Sequence, residues 1–476
     1  MLFSSIVFLF YFLPAVFVLY YAFSFSRGLQ NGLLLIASLI FYAWGEPVSV
    51  FLMIGSILIN SLMGYGVERY EGKKKAVLLW ITVGLNLLVL FVFKYLTFVI
   101  KSMGLFESGA IPEFEIALPI GISFFTFQAL SYVVDVYRGT TKAENPFYVG
   151  LYISFFPQLI AGPIIQYNTV ADQIRNRKES FDKVAVGLCR FTTGLGKKIL
   201  LSNCFAAIAD HVFQWSAIGT DRMPVPVMLA WLGSISYTLQ IYFDFSAYSD
   251  MAIGLGLCFG FKFGENFNYP YVAASVSDFW KRWHISLTDW FREYVYFPLG
   301  GSRVNNQDYM VRNMLIVWLL TGIWHGANWT FIFWGLYYFV FQLAERFFGY
   351  PEKIKSRFLK HVYALLVINA GWVVFRAGDL YQAGRFFMNM LGVNRNGFYS
   401  ELAVMLLREN WVFFVLGILF STPLARKMNE ILYQKPDSVV NKVYTVLYPM
   451  GMLLLLIASV SYLASGTYNP FIYFNF

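Results

Sequence analysis

Charged residues are scarce in this chain of 476 amino acids. Only 13% of the residues are Asp, Glu, Lys or Arg, whereas soluble globular proteins usually carry about 25%. Hydrophobic residues make up 58% of the chain and aromatic residues 20%. Such a chain would expose too much apolar surface in water, which excludes an ordinary soluble domain and indicates a protein folded in a lipid bilayer.

The positive charges are not gathered in one arm or on one face. The net charge of +9 is spread over short loops. A basic surface for nucleic acid would need a soluble domain to carry it, and the sequence shows none. We therefore expect no nucleic-acid partner and interpret the charge as a determinant of membrane topology.

Cysteine is equally rare. Cys189, Cys204 and Cys258 each lie in an apolar stretch, and no C-x-x-C spacing occurs. An odd count without such spacing argues against a disulfide framework and against a metal site, so we expect three small buried side chains and no bound metal.

Apolar runs of about 20 residues, the length that crosses a bilayer, recur along the whole chain. They predict an all-α polytopic membrane protein of about eleven transmembrane helices, forming one membrane domain over residues 1–476. The segments are 2–23, 29–45, 48–66, 76–100, 116–136, 184–208, 226–243, 312–345, 361–376, 410–424 and 443–464. The first has no preceding Lys or Arg and no cleavage motif, so it is interpreted as a retained span. Residues 147–167 contain a Gly-Pro break that favours a re-entrant segment or a kink.

The distribution of Lys and Arg predicts the orientation of both ends. Residues 69–75, 353–360 and 426–442 are basic, whereas 101–115 contains one Lys and three Glu. With the basic loops in the cytoplasm, the N-terminus and the tail 465–476 both lie on the outer face. Residues 140–300 stay unassigned.

Ionisable side chains inside apolar segments are costly and are therefore candidates for function. His325 lies midway along the run 312–345, with Gly322 and Gly326 beside it. We expect the small residues to give a substrate room to reach the imidazole. A packing histidine is the alternative. Asp244 and Asp250 are predicted to pair with Lys or Arg on a neighbouring helix, or to orient a histidine or a cation.

A second histidine, His284, lies in a basic and aromatic stretch, residues 277–294. Its apolar side chains recur at helical spacing and predict a helix at the membrane interface, with Ser275 or Ser277 as its cap. Such a helix is an anchor, or it attracts an anionic donor through its basic residues. The candidates for contact with the donor are Lys281, Arg282, Arg292 and, after a Gly-Gly turn, Arg303.

The tail ends in an aromatic sequence, residues 468–476 (YNPFIYFNF). Aromatic residues at this position often anchor a helix end at the membrane surface. A tyrosine hydroxyl among them is also a candidate acyl acceptor, and spacing does not choose between the two.

Several of these stretches resemble a known family. They are DFWKRWHISLTDWFREY (278–294), YFPLGGSR (296–303), TGIWHGANW (321–329), PIGISFF (119–125) and FPQLIAGP (156–163). Together they resemble the bacterial branch of the membrane-bound O-acyltransferase family, in particular the membrane subunits that O-acetylate alginate and peptidoglycan. The similarity extends over nearly the whole chain.

The resemblance implies helices around a central funnel, with His325 as catalytic histidine and His284 at the second motif position. It implies acetyl-CoA as a donor substrate and no bound cofactor. It also implies a bacterial cytoplasmic membrane, a polysaccharide acceptor and an SGNH-type partner on the envelope side. The tail resembles an F-x-Y-x-x-F motif in which Tyr473 relays the acyl group.

These residues suggest a mechanism with His325 as general base and His284 or Asn328 steadying the oxyanion. D-alanyl transfer to teichoic acid, a transporter and a structural scaffold are the alternatives.

Overall fold

All regular structure in the described residues is helical, as the sequence predicts. The computed structural model describes residues 1–160, 162–218, 224–302, 306–434, 438–466 and 468–472. In the first half of the chain the α-helices are α1 (Leu13–Ala22), α2 (Arg27–Ala43), α3 (Ser49–Arg69), α4 (Gly72–Leu90), α5 (Leu96–Ser102), α6 (Ile122–Arg138), α7 (Pro146–Ser154), α8 (Phe156–Leu159), α9 (Tyr167–Asn176), α10 (Phe181–Gly196) and α11 (Asn203–Ile218). In the second half they are α12 (Val227–Cys258), α13 (Val276–Trp280), α14 (Ile285–Phe291), α15 (Gln307–His325), α16 (Trp329–Phe348), α17 (Arg357–Arg376), α18 (Leu380–Met390), α19 (Glu401–Phe420), α20 (Leu424–Tyr433) and α21 (Val439–Ser465). Shorter turns include π-helical stretches at Phe8–Phe12, Phe91–Tyr95, Lys197–Ser202 and Arg292–Tyr296 and a 3₁₀ turn at Pro270–Val272.

Several helices begin at a polar side chain that accepts a hydrogen bond from a main-chain N–H in the first turn. Ser26 starts α2 by accepting from the N–H of Leu29 at 3.4 Å. Ser275 starts α13 by accepting from the N–H of Asp278 at 2.9 Å, as its spacing predicts. These caps satisfy main-chain donors that have no partner inside the helix, so they fix where each helix begins.

Five helices of the described chain are long and apolar enough to cross a membrane. They are Ser49–Arg69, Gly72–Ser102, Arg357–Arg376, Glu401–Phe420 and Val439–Ser465. Each overlaps one of the predicted segments, and Phe8–Ala22 is a shorter apolar helix at the first of them. The chain is therefore a helical multi-pass membrane protein, and the full count of about eleven spans stays a prediction.

The predicted single segment 312–345 is wrong. The chain ends α15 at His325, passes through Gly326 in an extended conformation (φ −179°) and starts α16 at Trp329, with Asn328 as its cap. The Asn328 side chain accepts from the N–H of Thr330 at 3.0 Å, which begins a new helix rather than continuing the old one. His325 is consequently the last residue of a helix and not a mid-helix residue.

The described chain forms two compact units, residues 1–191 with 248–265 and residues 192–247 with 266–476. In the first unit, Phe8 packs on Phe3, Phe41 and Phe156, with ring centroids 4.9, 5.9 and 6.3 Å apart. All four rings are buried, so this cluster forms part of the core of the unit. The prediction of one membrane domain stays a prediction.

The second unit is built around large aromatic side chains. The ring of Trp280 on α13 lies 5.0 Å from Trp318 on α15 and 4.9 Å from Tyr338 on α16. Trp334 on α16 stacks against Trp372 on α17 with centroids 6.1 Å apart. Aromatic rings contribute large contact areas with defined geometry, so this cluster fixes the positions of α13, α15, α16 and α17.

Candidate active site

The hairpin of α15 and α16 positions His325, and it does so through two glycines. A Cβ at Gly322 would lie 2.4 Å from the main-chain oxygen of Phe331, and one at Gly335 would lie 2.4 Å from that of Trp318. The two helices therefore approach to main-chain contact. A Cβ at Gly326 would also collide with the Phe331 ring, at 2.3 Å. Gly322 and Gly326 thus serve helix packing, and the sequence-based expectation that they leave space for a substrate is wrong.

The His325 imidazole is enclosed by three aromatic rings. Its centroid lies 5.0 Å from those of Trp324 and Trp334 and 5.1 Å from that of Phe375, and each pair meets at close to a right angle. The residue is 7% exposed. These edge contacts restrict the ring to one orientation, so its nitrogens are held in fixed directions.

His284 occupies a strained backbone position between two short helices. Its φ and ψ are 45° and 54°, the left-handed region that non-glycine residues seldom adopt. Main-chain bonds hold it there, because the N–H of Ile285 donates to the oxygen of Asn266 at 3.0 Å and that of Asn268 donates to the oxygen of Arg282 at 2.9 Å. Strain of this kind persists where the surroundings enforce it and is frequent at functional sites.

This arrangement corrects the predicted interfacial helix over residues 277–294. The stretch forms two helices, α13 and α14, with His284 between them. Phe279, Trp283 and Leu287, which the helical spacing places on one apolar stripe, are all buried. The stripe packs against protein, because rings such as Trp372 lie 4.8 Å from Trp283.

The hydrogen bonds around His284 define which ring nitrogen carries its proton. The side-chain oxygen of Asn266 accepts from the main-chain N–H and the hydroxyl of Ser286, at 3.2 and 2.9 Å. The same oxygen lies 3.2 Å from Nδ1 of His284, so Nδ1 must be the donor. Nε2 then carries a lone pair, and this buried atom has no hydrogen-bond partner among the described residues. Such a nitrogen is able to accept a proton.

His284 and His325 interact electrostatically. Burial lowers the pKa of His284 well below 6.5, and the neighbouring His325 lowers it further. The centroid of Trp324, which adjoins His325, is 6.0 Å from that of His284. Burial and the neighbouring imidazole therefore both favour the neutral form of His284.

A cavity of about 340 Å³ lies beside the enclosure of His325. Phe375, which touches the His325 ring, also lines this cavity, as do Asn328 and Arg376. Pro470 and Ile472 of the C-terminal tail line it as well. The described end of the tail and Phe375, which contacts His325, thus line the same cavity. Passages from His325 to both membrane faces stay a prediction.

The other predicted residues have the following positions. Lys281 and Arg292 are exposed, and Arg292 pairs with Asp289 at 2.8 Å. Arg282 pairs with Asp278 at 2.9 Å. These placements leave their role in donor binding a prediction. Arg303 and Tyr473 lie outside the described residues.

Asn328 is already engaged at both ends of its amide. Its nitrogen donates to the main-chain oxygen of Gly378 at 2.7 Å, and its oxygen caps α16. The amide nitrogen carries a second N–H, so the bond to Gly378 leaves one donor for an oxyanion. In the tautomer defined by Asn266, the Nε2 atom of His284 is an acceptor, so His284 would have to move its proton before it could donate to an oxyanion.

Sequence reasoning missed two residues that organise the site. Asn266 holds His284 from 18 positions away along the chain, and no local pattern marks it. Glu345 near the end of α16 accepts from the N–H groups of Val276 and Ser277 at 2.6 and 2.8 Å, and so caps α13. A buried acid in an apolar helix was the available signal for Glu345.

The acids Asp244 and Asp250 pair with cations, as predicted. Asp250 lies 2.9 Å from Arg190 within the first unit, and Asp244 lies 2.6 Å from Lys198 within the second. Among the described residues, no three His, Cys, Asp or Glu side chains are grouped to hold a metal ion, and the metal-free site stays a prediction.

Several known proteins are similar in sequence to this chain. The family model described as "MBOAT, membrane-bound O-acyltransferase family" matches residues 144–350. A probable alginate O-acetylase of Azotobacter vinelandii is 39% identical over the full length of both chains, and one of Pseudomonas putida is 37% identical over the full length of both. A peptidoglycan O-acetyltransferase of Helicobacter pylori is 34% identical over 83% of this chain and 80% of its own. With full-length relatives of this similarity, the chain belongs to the membrane-bound O-acyltransferase family and is an O-acyltransferase of the membrane.

Proposed function

We propose that the protein transfers an acetyl group from cytoplasmic acetyl-CoA across the membrane towards O-acetylation of a cell-envelope polysaccharide. One observation carries this proposal: Phe375, whose ring contacts the buried His325, lines a cavity that the C-terminal tail also lines. The full-length similarity to proteins named alginate O-acetylases and a peptidoglycan O-acetyltransferase favours acetyl as the group and an envelope polysaccharide as its destination.

In the proposed reaction a hydroxyl oxygen attacks the thioester carbonyl of acetyl-CoA. His325 takes the proton of that hydroxyl, an ester bond forms, the carbon–sulfur bond breaks, and the coenzyme A thiolate leaves and takes up the proton. General-base help of this kind is typically worth about 10²–10⁴-fold in rate. The Nε2 atom of His284 has no hydrogen-bond partner among the described residues and carries the lone pair in the tautomer defined by Asn266, which supports a role for His284 as partner base.

The attacking hydroxyl in the first transfer is proposed to be that of Tyr473, which follows Ile472 in the chain. A free tyrosine has a pKa near ~10, so a positioned base is needed at neutral pH. The acetylated tyrosine then passes the group to an SGNH-type transferase on the envelope side, which delivers it to an alginate-like exopolysaccharide or to peptidoglycan.

The remaining features of the proposal concern the donor and the membrane. The donor phosphates are proposed to bind near the basic residues Lys281, Arg282, Arg292 and Arg303. The protein resides in the bacterial cytoplasmic membrane, with about eleven spans around a central funnel, basic loops in the cytoplasm and the tail on the outer face.

Purified protein incubated with acetyl-labelled coenzyme A tests this function. We expect label to appear on the C-terminal peptide and release of free coenzyme A. His325→Ala should abolish both, whereas His361→Gln, a histidine change outside both cavities that the tail lines, should leave both intact. Tyr473→Phe should abolish labelling of the peptide while the thermal stability of the protein is unchanged.

The alternatives predict other results in the same assay. A transporter or scaffold releases no coenzyme A and responds to neither histidine change. An enzyme of D-alanyl transfer is inactive with acetyl-CoA and labels its acceptor from a D-alanyl carrier protein. Envelope acetylation that persists in cells carrying Tyr473→Phe would refute the relay while leaving acyl transfer itself intact.

A further inference from the structure

A buried ion pair lies outside the histidine site. Lys198, in the π-helical stretch Lys197–Ser202, and Asp244, on α12, approach to 2.6 Å, and their side chains are 2% and 1% exposed. Charges at this depth are expensive to desolvate, and within apolar segments they usually serve a function. π-helical turns are also frequent at functional sites. The proposed reaction assigns the pair no step.

Each member of the pair also forms a hydrogen bond with the main chain of the C-terminal tail. The ammonium of Lys198 donates to the main-chain oxygen of Pro470. The main-chain N–H of Ile472 donates to Oδ2 of Asp244 at 3.0 Å. The ammonium thus donates to a carbonyl, and the carboxylate accepts from an N–H two residues further along the chain. Both are charge-assisted hydrogen bonds, which are stronger than bonds between neutral groups.

The neighbouring contacts hold the same segment of the chain. Asn203 donates to the side-chain oxygen of Asn469 at 3.3 Å, and the hydroxyl of Tyr468 donates to Asp210. Phe471 and Ile472 are 4% and 7% exposed. The tail is therefore bonded to the second unit over residues 468–472 and is buried in it at Phe471 and Ile472.

The held segment runs along two cavities. Tyr468 and Asn469 line one of about 510 Å³. Pro470 and Ile472 line the one of about 340 Å³ beside the enclosure of His325. The ion pair contacts the chain at Pro470 and Ile472, so it acts at the residues that reach the histidine side.

From this geometry we infer that Lys198 and Asp244 are positioning residues that hold the C-terminal tail by its main chain at Pro470 and Ile472, where the tail lines the cavity beside His325. The pair recognises a carbonyl and an N–H in a fixed order, and this order sets the direction and register of the tail independently of its side chains. The inference rests on the proposed function, in which Tyr473 is the residue presented.

A double variant, Lys198→Met with Asp244→Leu, tests the inference. Replacing both charges by apolar side chains leaves no unpaired buried charge, and such exchanges often preserve stability. Lys198→Arg keeps a charged donor and is the conservative variant. Arg426→Gln breaks an exposed pair with Glu430 on α20 and is the matched control for loss of an ion pair.

Hydrogen exchange of the purified proteins, followed by mass spectrometry, reports tail docking without any substrate. In the double variant we expect the amides of the C-terminal peptide to exchange at least about tenfold faster, since a charge-assisted bond is lost. Exchange elsewhere and the melting temperature should stay near the parent values. Lys198→Arg and Arg426→Gln should retain a protected tail. A tail that stays protected in the double variant overturns the inference.

Labelling from acetyl-CoA supplies the second readout. Acetylation of the C-terminal peptide should fall by about 10²-fold in the double variant, the scale of a misplacement near 1 Å, while KM for acetyl-CoA is unchanged. A released tail with normal acetylation would also overturn the positioning role. If the parent protein itself acquires no label, the proposed function fails, and the exchange experiment still decides whether the pair holds the tail. Should the double variant not fold, the same two measurements are made on Lys198→Gln with Asp244→Asn, which also leaves no unpaired buried charge and keeps polar side chains.

Discussion

Substituting Gly322 by Ala should separate the two helices that position His325. The added Cβ would lie 2.4 Å from the main-chain oxygen of Phe331, whereas ordinary contacts begin at 3.4 Å. The atom it meets belongs to the backbone of α16, so no side-chain rotation relieves the collision. The helices must move apart by about 1 Å at this point.

The size of the effect follows from that displacement. Overpacking of this kind typically costs about 1–3 kcal/mol of stability. Gly322 is three residues before His325 on the same helix, and Phe331 of the partner helix packs on Phe375, which touches the His325 ring. A misplacement of about 1 Å at a catalytic group lowers the rate by about 10²-fold. We therefore expect a small loss of melting temperature and a much larger loss of acetyl transfer.

The measurement compares Gly322→Ala with Gly84→Ala. Gly84 lies on α4, and nothing is within 4 Å of a Cβ built there. Alanine at that position should raise stability by up to about 1 kcal/mol and leave activity unchanged. Melting temperature and the rate of coenzyme A release are determined for both. Full activity in Gly322→Ala would refute the argument that helix contact positions His325.

Three further predictions concern the site. Single changes of His325 and His284 to Ala should each lower acetyl transfer by about 10²–10⁴-fold, and the double variant should be no slower than the worse single, since the two act as one unit. The pKa of His284 is lowered below 6.5 in the folded chain. At a pH below 6.5, His284 therefore binds a proton in the unfolded chain but stays neutral in the folded chain. The free energy of unfolding should therefore fall as pH drops below 6.5, by about 1.4 kcal/mol per pH unit for this group. Melting temperatures measured between about pH 5 and pH 8 should depend less on pH in His284→Gln than in the parent protein. Glu345→Gln should cost about 1–3 kcal/mol by weakening the cap of α13, seen as a lower melting temperature together with reduced transfer; an unaltered melting temperature would contradict the capping role.

Much of the helical architecture could be predicted from local sequence. A run of about 20 apolar residues has few alternatives to a helix in lipid, because main-chain groups must be satisfied within the segment. The helices Ser49–Arg69 and Gly72–Ser102 follow directly from this rule. Ser275 marked the start of α13, and the apolar setting of Asp244 indicated a cationic partner, which is Lys198.

The features that make the site could not be predicted in the same way. The break after His325 is invisible to hydropathy, because Trp-His-Gly-Ala-Asn-Trp interrupts an apolar run with only two strongly polar side chains. It depends on Asn328 finding the N–H of Thr330 and the oxygen of Gly378. The left-handed conformation of His284 likewise depends on Asn266, a contact between distant positions. Such contacts arise from tertiary packing and leave no periodic signal.

The contact between Glu345 and the start of α13 has a consequence for judging which relatives are active. α16 links the two histidine-bearing elements, since it begins beside His325 and caps the helix that leads to His284. One residue inserted midway through α16 would turn its far end by about 100°, and the carboxylate would face away from the amides it caps. The Trp-His-Gly sequence would be unchanged, yet the second imidazole would lose its support. The number of residues between His325 and Glu345 is therefore as diagnostic of a working enzyme as the motifs themselves.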